Sequence, residues 1–150
     1  MILHSKKRSF GNDCNVSLFT LGTMRAIESL DKIYSLIKSA HHTGINHLET
    51  AASYGNAEML IGEALNKLET SEKISKRKWI ITTKILPKGD FKYLKNNFEN
   101  SLTNLKLKRI HNLAIHGINL DEHLDWVLNG EGRKFLKWVI ERGLVDQIGF

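Results

Sequence analysis

Four side chains that can hold or move a proton stand where short apolar runs of the sequence give out. They are Glu49 and Tyr54 in HLETAASYGNAE, Lys84 at the end of WIITTKI, and His116 at the end of IHNLAIH. A carboxylate, a phenol, an amine and an imidazole brought to one place form a set for proton transfer. A free tyrosine, with a pKa of about 10, gives up its proton reluctantly at neutral pH. A buried ammonium from Lys84 would stabilise the phenolate, and Glu49 would keep that ammonium charged and aimed. His116 would offer a hydrogen bond to a carbonyl oxygen beside Tyr54. Such a set suits acid catalysis of carbonyl reduction, with the hydride coming from a nicotinamide cofactor. Each residue also has a bland explanation: Tyr54 as a packed loop tyrosine, His116 as a rim histidine. Lys84 is the hardest to explain away, because a charge ending an apolar strand is costly unless paired or functional.

These side chains converge only if the chain folds as alternating strands and helices. VSLFTLG (16–22) reads as a strand, and residues 29–43 place Ile33, Leu36, Ile37 and Ala40 on one helical face before Gly44. INHLE (45–49) is the second strand. A helix from its cap Asn56 then presents Leu60, Ile61, Ala64, Leu65 and Leu68 on one side. WIITTKI (79–85) is apolar enough for burial on both faces. A third helix, capped by Asp90, carries Leu94, Phe98, Leu102 and Leu105. IHNLAIH (110–116) is the fourth strand. A partly helical stretch around DEHLDWVLNGEG precedes a helix with Phe135, Leu136, Val139 and Ile140, and VDQIGF (145–150) begins a fifth strand.

Strand–helix alternation predicts right-handed βαβ units with a parallel sheet. The first strand–helix junction has neither G-x-G-x-x-G nor a P-loop, which favours a (β/α) barrel over a doubly wound dinucleotide fold. The fold class expected is α/β, a partial (β/α)8 TIM barrel of four βα units plus a fifth strand, after a short N-terminal hairpin holding Cys14. A whole barrel needs roughly 250 residues. Residues 1–150 are therefore expected to be a single incomplete domain, the truncated N-terminal half of such a barrel. Barrel chemistry sits at the C-terminal ends of strands, where Glu49, Tyr54, Lys84 and His116 all fall.

Composition narrows the rest. One cysteine allows no internal disulfide and suits a reducing compartment. No apolar run is long enough to cross a bilayer, and the N-terminus MILHSKKRSF lacks a signal-peptide core, so a cytoplasmic protein is expected. The net charge of +6 is spread along the chain, with runs at SKKR and SKRK that read as solvated loops and helix ends; neither nucleic acid nor membrane is expected as a partner. His41 and His42 lack a Cys or carboxylate at ligand spacing, so no metal is expected there. GEGRKF reads as a helix start rather than a phosphate loop.

LETAASYGNAEMLIGEAL, IITTKI, LAIHGIN and GLVDQIGF, in this order, resemble the aldo-keto reductases, and the resemblance runs from LGTMR to the C-terminus. Within that family the sequence is most similar to oxidoreductases that carry a C-terminal ferredoxin-like iron–sulfur segment; with one cysteine, this chain carries no such cluster. The resemblance implies that Tyr54 donates a proton while NADPH delivers hydride to a small-molecule carbonyl. Lys84, His116 and an acid complete the tetrad, and Gly22, Thr23 and Met24 face the cofactor. Glu49 stands where the wider family has aspartate, a carboxylate displaced by roughly 1 Å. Most family contacts to the cofactor come from the second half of the barrel. The isolated chain is thus expected to have little reductase activity, and to self-associate or bind a complementary half-barrel chain. The alternatives are a non-catalytic binding subunit and an inactive truncated fragment.

Overall fold

The computed structural model describes residues 6–11, 14–25 and 28–150. Two short strands, β1 (Lys7–Ser9) and β2 (Asn15–Ser17), pair antiparallel as a hairpin, with Cys14 at its turn. The chain then enters a five-stranded parallel sheet of β3 (Leu21–Gly22), β4 (His47–Glu49), β5 (Ile80–Ile85), β6 (Ile110–Ile115) and β7 (Val145–Gly149), paired in the order of the sequence. Helices α1 (Leu30–His42), α2 (Ala57–Ser71) and α3 (Phe91–Leu105) carry the chain from each strand to the next. Between β6 and β7 lie α4 (Asp121–Leu128) and α5 (Glu131–Glu141).

Side chains of a strand alternate between faces, and here the two faces differ in chemistry. Leu48, Ile81, Ile85, Leu113 and Ile115 join one apolar core with Ile33 and Ile37 of α1, Leu65 of α2, Phe98 of α3 and Phe135 of α5. The residues between them, including His47, Glu49, Thr82, Lys84 and Asn112, line a cavity on the concave face. The helices pack tightly against one another as well. A side chain on Gly62 of α2 would collide with the Asn104 carbonyl and the Leu105 backbone at the end of α3, so α2 and α3 meet there backbone to backbone.

Asp90 caps α3 through a hydrogen bond from Tyr93 N to its Oδ1 at 2.8 Å. Asn56 occupies the N-cap position of α2 without accepting a side-chain hydrogen bond, so the helix starts there without the cap the sequence suggests. The apolar run 16–22 is not one strand. Val16 and Ser17 belong to the hairpin and Leu21–Gly22 to the sheet, and between them the Ser17 hydroxyl donates to Phe19 O at 2.6 Å, turning the chain. Leu36 and Ile140 lie at the solvent margin of their helices and are exposed. Ser5, Ala26 and Ile27, within segments read above, fall outside the described residues. Among the described residues no helix is long and apolar enough to cross a membrane.

Candidate active site

Strand β4 ends on Glu49 because its backbone is tied down there. Thr23 donates both its N–H (3.0 Å) and its hydroxyl (2.9 Å) to the Glu49 carbonyl. From β5, register places Lys84 one strand over, and its ammonium forms an ion pair with Glu49 Oε1. The same Nζ donates to Thr50 O at 3.3 Å and to the Tyr54 hydroxyl oxygen at 3.3 Å. Three acceptors match the three hydrogens of an ammonium. Since Lys84 is the donor, the hydroxyl proton of Tyr54 is not consumed by that bond.

Tyr54 is set by a tight turn rather than by a strand. Its N–H donates to Ala51 O (3.0 Å), Ala57 N–H donates back to Tyr54 O (3.1 Å), and Gly55 takes φ 58°, the left-handed region that glycine enters without strain. His116 follows β6, held by a bond from its N–H to Ile85 O at 2.7 Å. The Tyr54 and His116 rings meet edge to face, with centroids 5.6 Å apart at 82°, and Ser53 Oγ lies 3.3 Å from His116 Nδ1. Burial and the positive charge of Lys84 push the His116 pKa down, with Glu49 opposing, so the imidazole is neutral at neutral pH. Glu49, Lys84 and His116 border the concave-face cavity of about 580 Å³, within the usual range of small-molecule sites.

The structure thus brings Glu49, Tyr54, Lys84 and His116 together. Of the loop after β3, Gly22 and Met24 are exposed, whereas Thr23 is buried and its hydroxyl is committed to the Glu49 carbonyl. The rings of His41 and His42 lie 5.9 Å apart, and among the described residues no group of three His, Cys, Asp or Glu could hold a metal.

One layer below, a polar chain crosses the concave face that the sequence reading did not single out. His47 is buried, with Thr20 Oγ1 2.9 Å from its Nδ1 and Thr82 Oγ1 2.8 Å from its Nε2. Asn112 Nδ2 donates to Thr82 Oγ1 at 3.2 Å, so the threonine hydroxyl joins Asn112 to His47 across two strands. The signal was period two: His47 precedes Glu49, and Thr82 precedes Lys84, by two residues on the same face. Behind the sheet, the buried carboxylate of Glu58 accepts from the Thr83 hydroxyl at 2.6 Å, linking α2 to β5.

Burial, with a smaller push from His111 and opposed by Glu49, lowers the His47 pKa from its ordinary 6.5. As pH falls, the unfolded chain therefore binds a proton before the folded one does, so stability is full above the ordinary value of 6.5 and declines as pH falls below it. Histidines 41, 111 and 116 are shifted the same way and add to the slope. Urea unfolding at several pH values should show stability dropping on acidification, with a shallower slope in His47→Gln. Equal slopes in the two proteins would refute this account of His47.

The Aldo/keto reductase family model matches residues 19–150. An uncharacterized oxidoreductase of Bacillus subtilis (strain 168), YqkF, is 28% identical over 134 residues, which are 80% of this chain and 42% of that protein. A Pseudomonas aeruginosa structure assigned to the aldo-keto reductases superposes with a TM-score of 0.82 at 26% identity, over 99% of this chain and 60% of that one. A Bombyx mori aldo-keto reductase solved in complex with NADP gives 0.75 at 21% identity, over 97% of this chain and 50% of its own, a likeness of fold. The chain thus spans between 42% and 60% of the length of these proteins.

Proposed function

Because the chain belongs to the aldo/keto reductase family, an oxidoreductase family of small-molecule substrates, we propose that it carries the proton-transfer machinery of an NADPH-dependent carbonyl reductase, as the N-terminal half of a (β/α)8 barrel. The observation that carries this reading is the Lys84 ammonium, which borders the cavity with Glu49, pairs with that carboxylate and donates to the Tyr54 hydroxyl oxygen.

Reduction of a carbonyl adds a hydride to carbon and a proton to oxygen. When bound, the nicotinamide supplies the hydride. The residues present suit that end of the cofactor: Gly22, opposite Glu49 in the sheet, is bare of side chain with open space around it, so a flat ring can approach. Gly22 and Met24 would line its path, while Thr23 acts through the backbone of Glu49. Tyr54 gives the proton to the substrate oxygen. Lys84 stabilises the negative charge that grows on the phenol oxygen as the proton leaves. Glu49 keeps the ammonium in place, and neutral His116 turns a ring N–H toward the carbonyl oxygen, fixing its direction. Glutamate reaches Lys84 from β4 despite its extra methylene.

Glu49→Gln tests the reading. It keeps the shape but removes the charge that holds Lys84, whose side chain is only 14% exposed. A hydrogen bond to a charged group contributes about 1.5–3 kcal/mol, so kcat for NADPH-dependent aldehyde reduction by the barrel completed with its second half should fall about 10- to 100-fold with little change in KM. A variant turning over within about twofold of the parent would remove Glu49 from the mechanism.

A further inference from the structure

Along the chain the basic residues are scattered from Lys6 to Arg142; in the fold half of the 22 gather at one pole. All five parallel strands start at the end of the sheet opposite the tetrad. The segments around their starts are residues 6–9 of the hairpin, 69–79 leading into β5, 105–110 leading into β6 and 141–146 leading into β7. They hold eleven lysines and arginines against four acidic residues, a net of +7 where the whole chain carries +6. The rest of the protein is therefore close to neutral.

The four acids of this pole are already matched: Glu69 by Lys76, Glu72 by Lys38, Asp146 by Arg109 and Glu141 by Lys137. Lys7, Arg8, Arg77, Lys78 and Lys108 are exposed and, among the described residues, have no acidic partner. Complementing helix dipoles does not account for them. Lys106 and Arg142 cap α3 and α5, but the last turns of α2, α3 and α5 contain no base.

A second observation lies at the same pole. The turn between β2 and β3 holds out two apolar side chains, Leu18 (48% exposed) and Phe19 (69% exposed). Leu18 N–H donates to Lys6 O at 3.1 Å, so the apolar pair stands beside the hairpin bases. We propose that this pole docks on an anionic phospholipid surface, with the unpaired lysines and arginines on the headgroups and Leu18 and Phe19 in the interfacial layer. A phosphate backbone would answer the bases but offers nothing to an exposed Leu–Phe pair, whereas a bilayer interface accepts both. Docking by this pole leaves the tetrad, at the opposite end of the strands, open to water. The proposal does not depend on the catalytic reading.

Vesicle co-sedimentation tests it. The protein should pellet with phosphatidylcholine vesicles containing phosphatidylserine and stay in solution with phosphatidylcholine alone. Salt of about 0.5 M, where screening is short-ranged, should release it. Lys78→Glu with Lys108→Glu should weaken binding by about tenfold or more, and Phe19→Ser severalfold with the salt dependence retained. Lys88→Glu with Lys92→Glu changes the net charge equally at the other end of the strands and should leave binding intact; circular dichroism checks that each variant is folded. Equal binding to the neutral vesicles, equal loss in the control pair, or binding to duplex DNA without binding to vesicles would each overturn the proposal.

Discussion

Tyr54→Phe is expected to lower kcat for carbonyl reduction, measured in a barrel completed by its second half, by about 10²–10⁴-fold, the usual contribution of a positioned proton donor. The substitution removes one oxygen and little else. The ring keeps its edge-to-face contact with His116 at 5.6 Å, and the turn that sets its backbone depends on Ala51, Gly55 and Ala57 rather than on the phenol. Lys84 loses one acceptor but keeps Glu49 and Thr50. The loss should accordingly appear in kcat, with KM and unfolding midpoint close to those of the parent, and it corresponds to roughly 3–5 kcal/mol of transition-state stabilisation. Steady-state NADPH oxidation with a small aldehyde reads it. If Tyr54→Phe keeps its rate while Glu49→Gln loses it, the proton comes from elsewhere and Lys84 acts directly on the substrate.

For stability the largest single effect is expected at Phe98. It is wholly buried on α3 and meets the equally buried Phe135 of α5 edge to face, with centroids 5.8 Å apart at 70°. This pair joins two helices that are separated in the chain by β6 and α4. Phe98→Ala removes the transfer energy of the ring and opens a cavity that two packed helices cannot collapse to fill. The expected cost is about 3–5 kcal/mol, a large part of what a domain of this size has in reserve. Urea denaturation should show the midpoint falling with the slope unchanged. A cost below about 1 kcal/mol would mean that α3 and α5 re-pack freely.

The sheet and its helices are legible in the sequence because parallel strands buried by helices carry unbroken apolar runs. Ile80–Ile85 and Ile110–Ile115 lie within a residue of the segments read from the pattern alone. The run at 16–22 misleads for a physical reason. Hydrophobicity does not record direction, and two apolar pieces pointing into different sheets look like one strand until the Ser17 hydroxyl turns the backbone. Leu36 and Ile140 satisfy helical spacing but sit at the edge of an apolar stripe narrower than the pattern implies. At the site, residue type at strand ends was enough to gather Glu49, Tyr54, Lys84 and His116. The layer beneath was missed because histidine, threonine and asparagine inside a strand resemble interruptions. Only pairing shows that His47 and Asn112 share the hydroxyl of Thr82. Nor does the sequence show that the bases share a pole, since that depends on which ends of four separate segments face the same way.

The order of the sheet has a kinetic consequence. Each strand pairs with the one before it in the chain, from β3 through β7, without a skipped neighbour. A nascent chain leaving the ribosome can thus lay each βα unit on an edge that already exists, and among these five strands no pairing waits for a distant segment to be made. Parallel sheets fold slowly when loops must close before any contact rewards them. Here every closure is as short as one intervening helical stretch allows, which favours growth from the N-terminus during synthesis at about 5–20 residues per second. Throughout that growth the leading edge is a freshly exposed parallel strand, and that edge is where a chaperone would have to act.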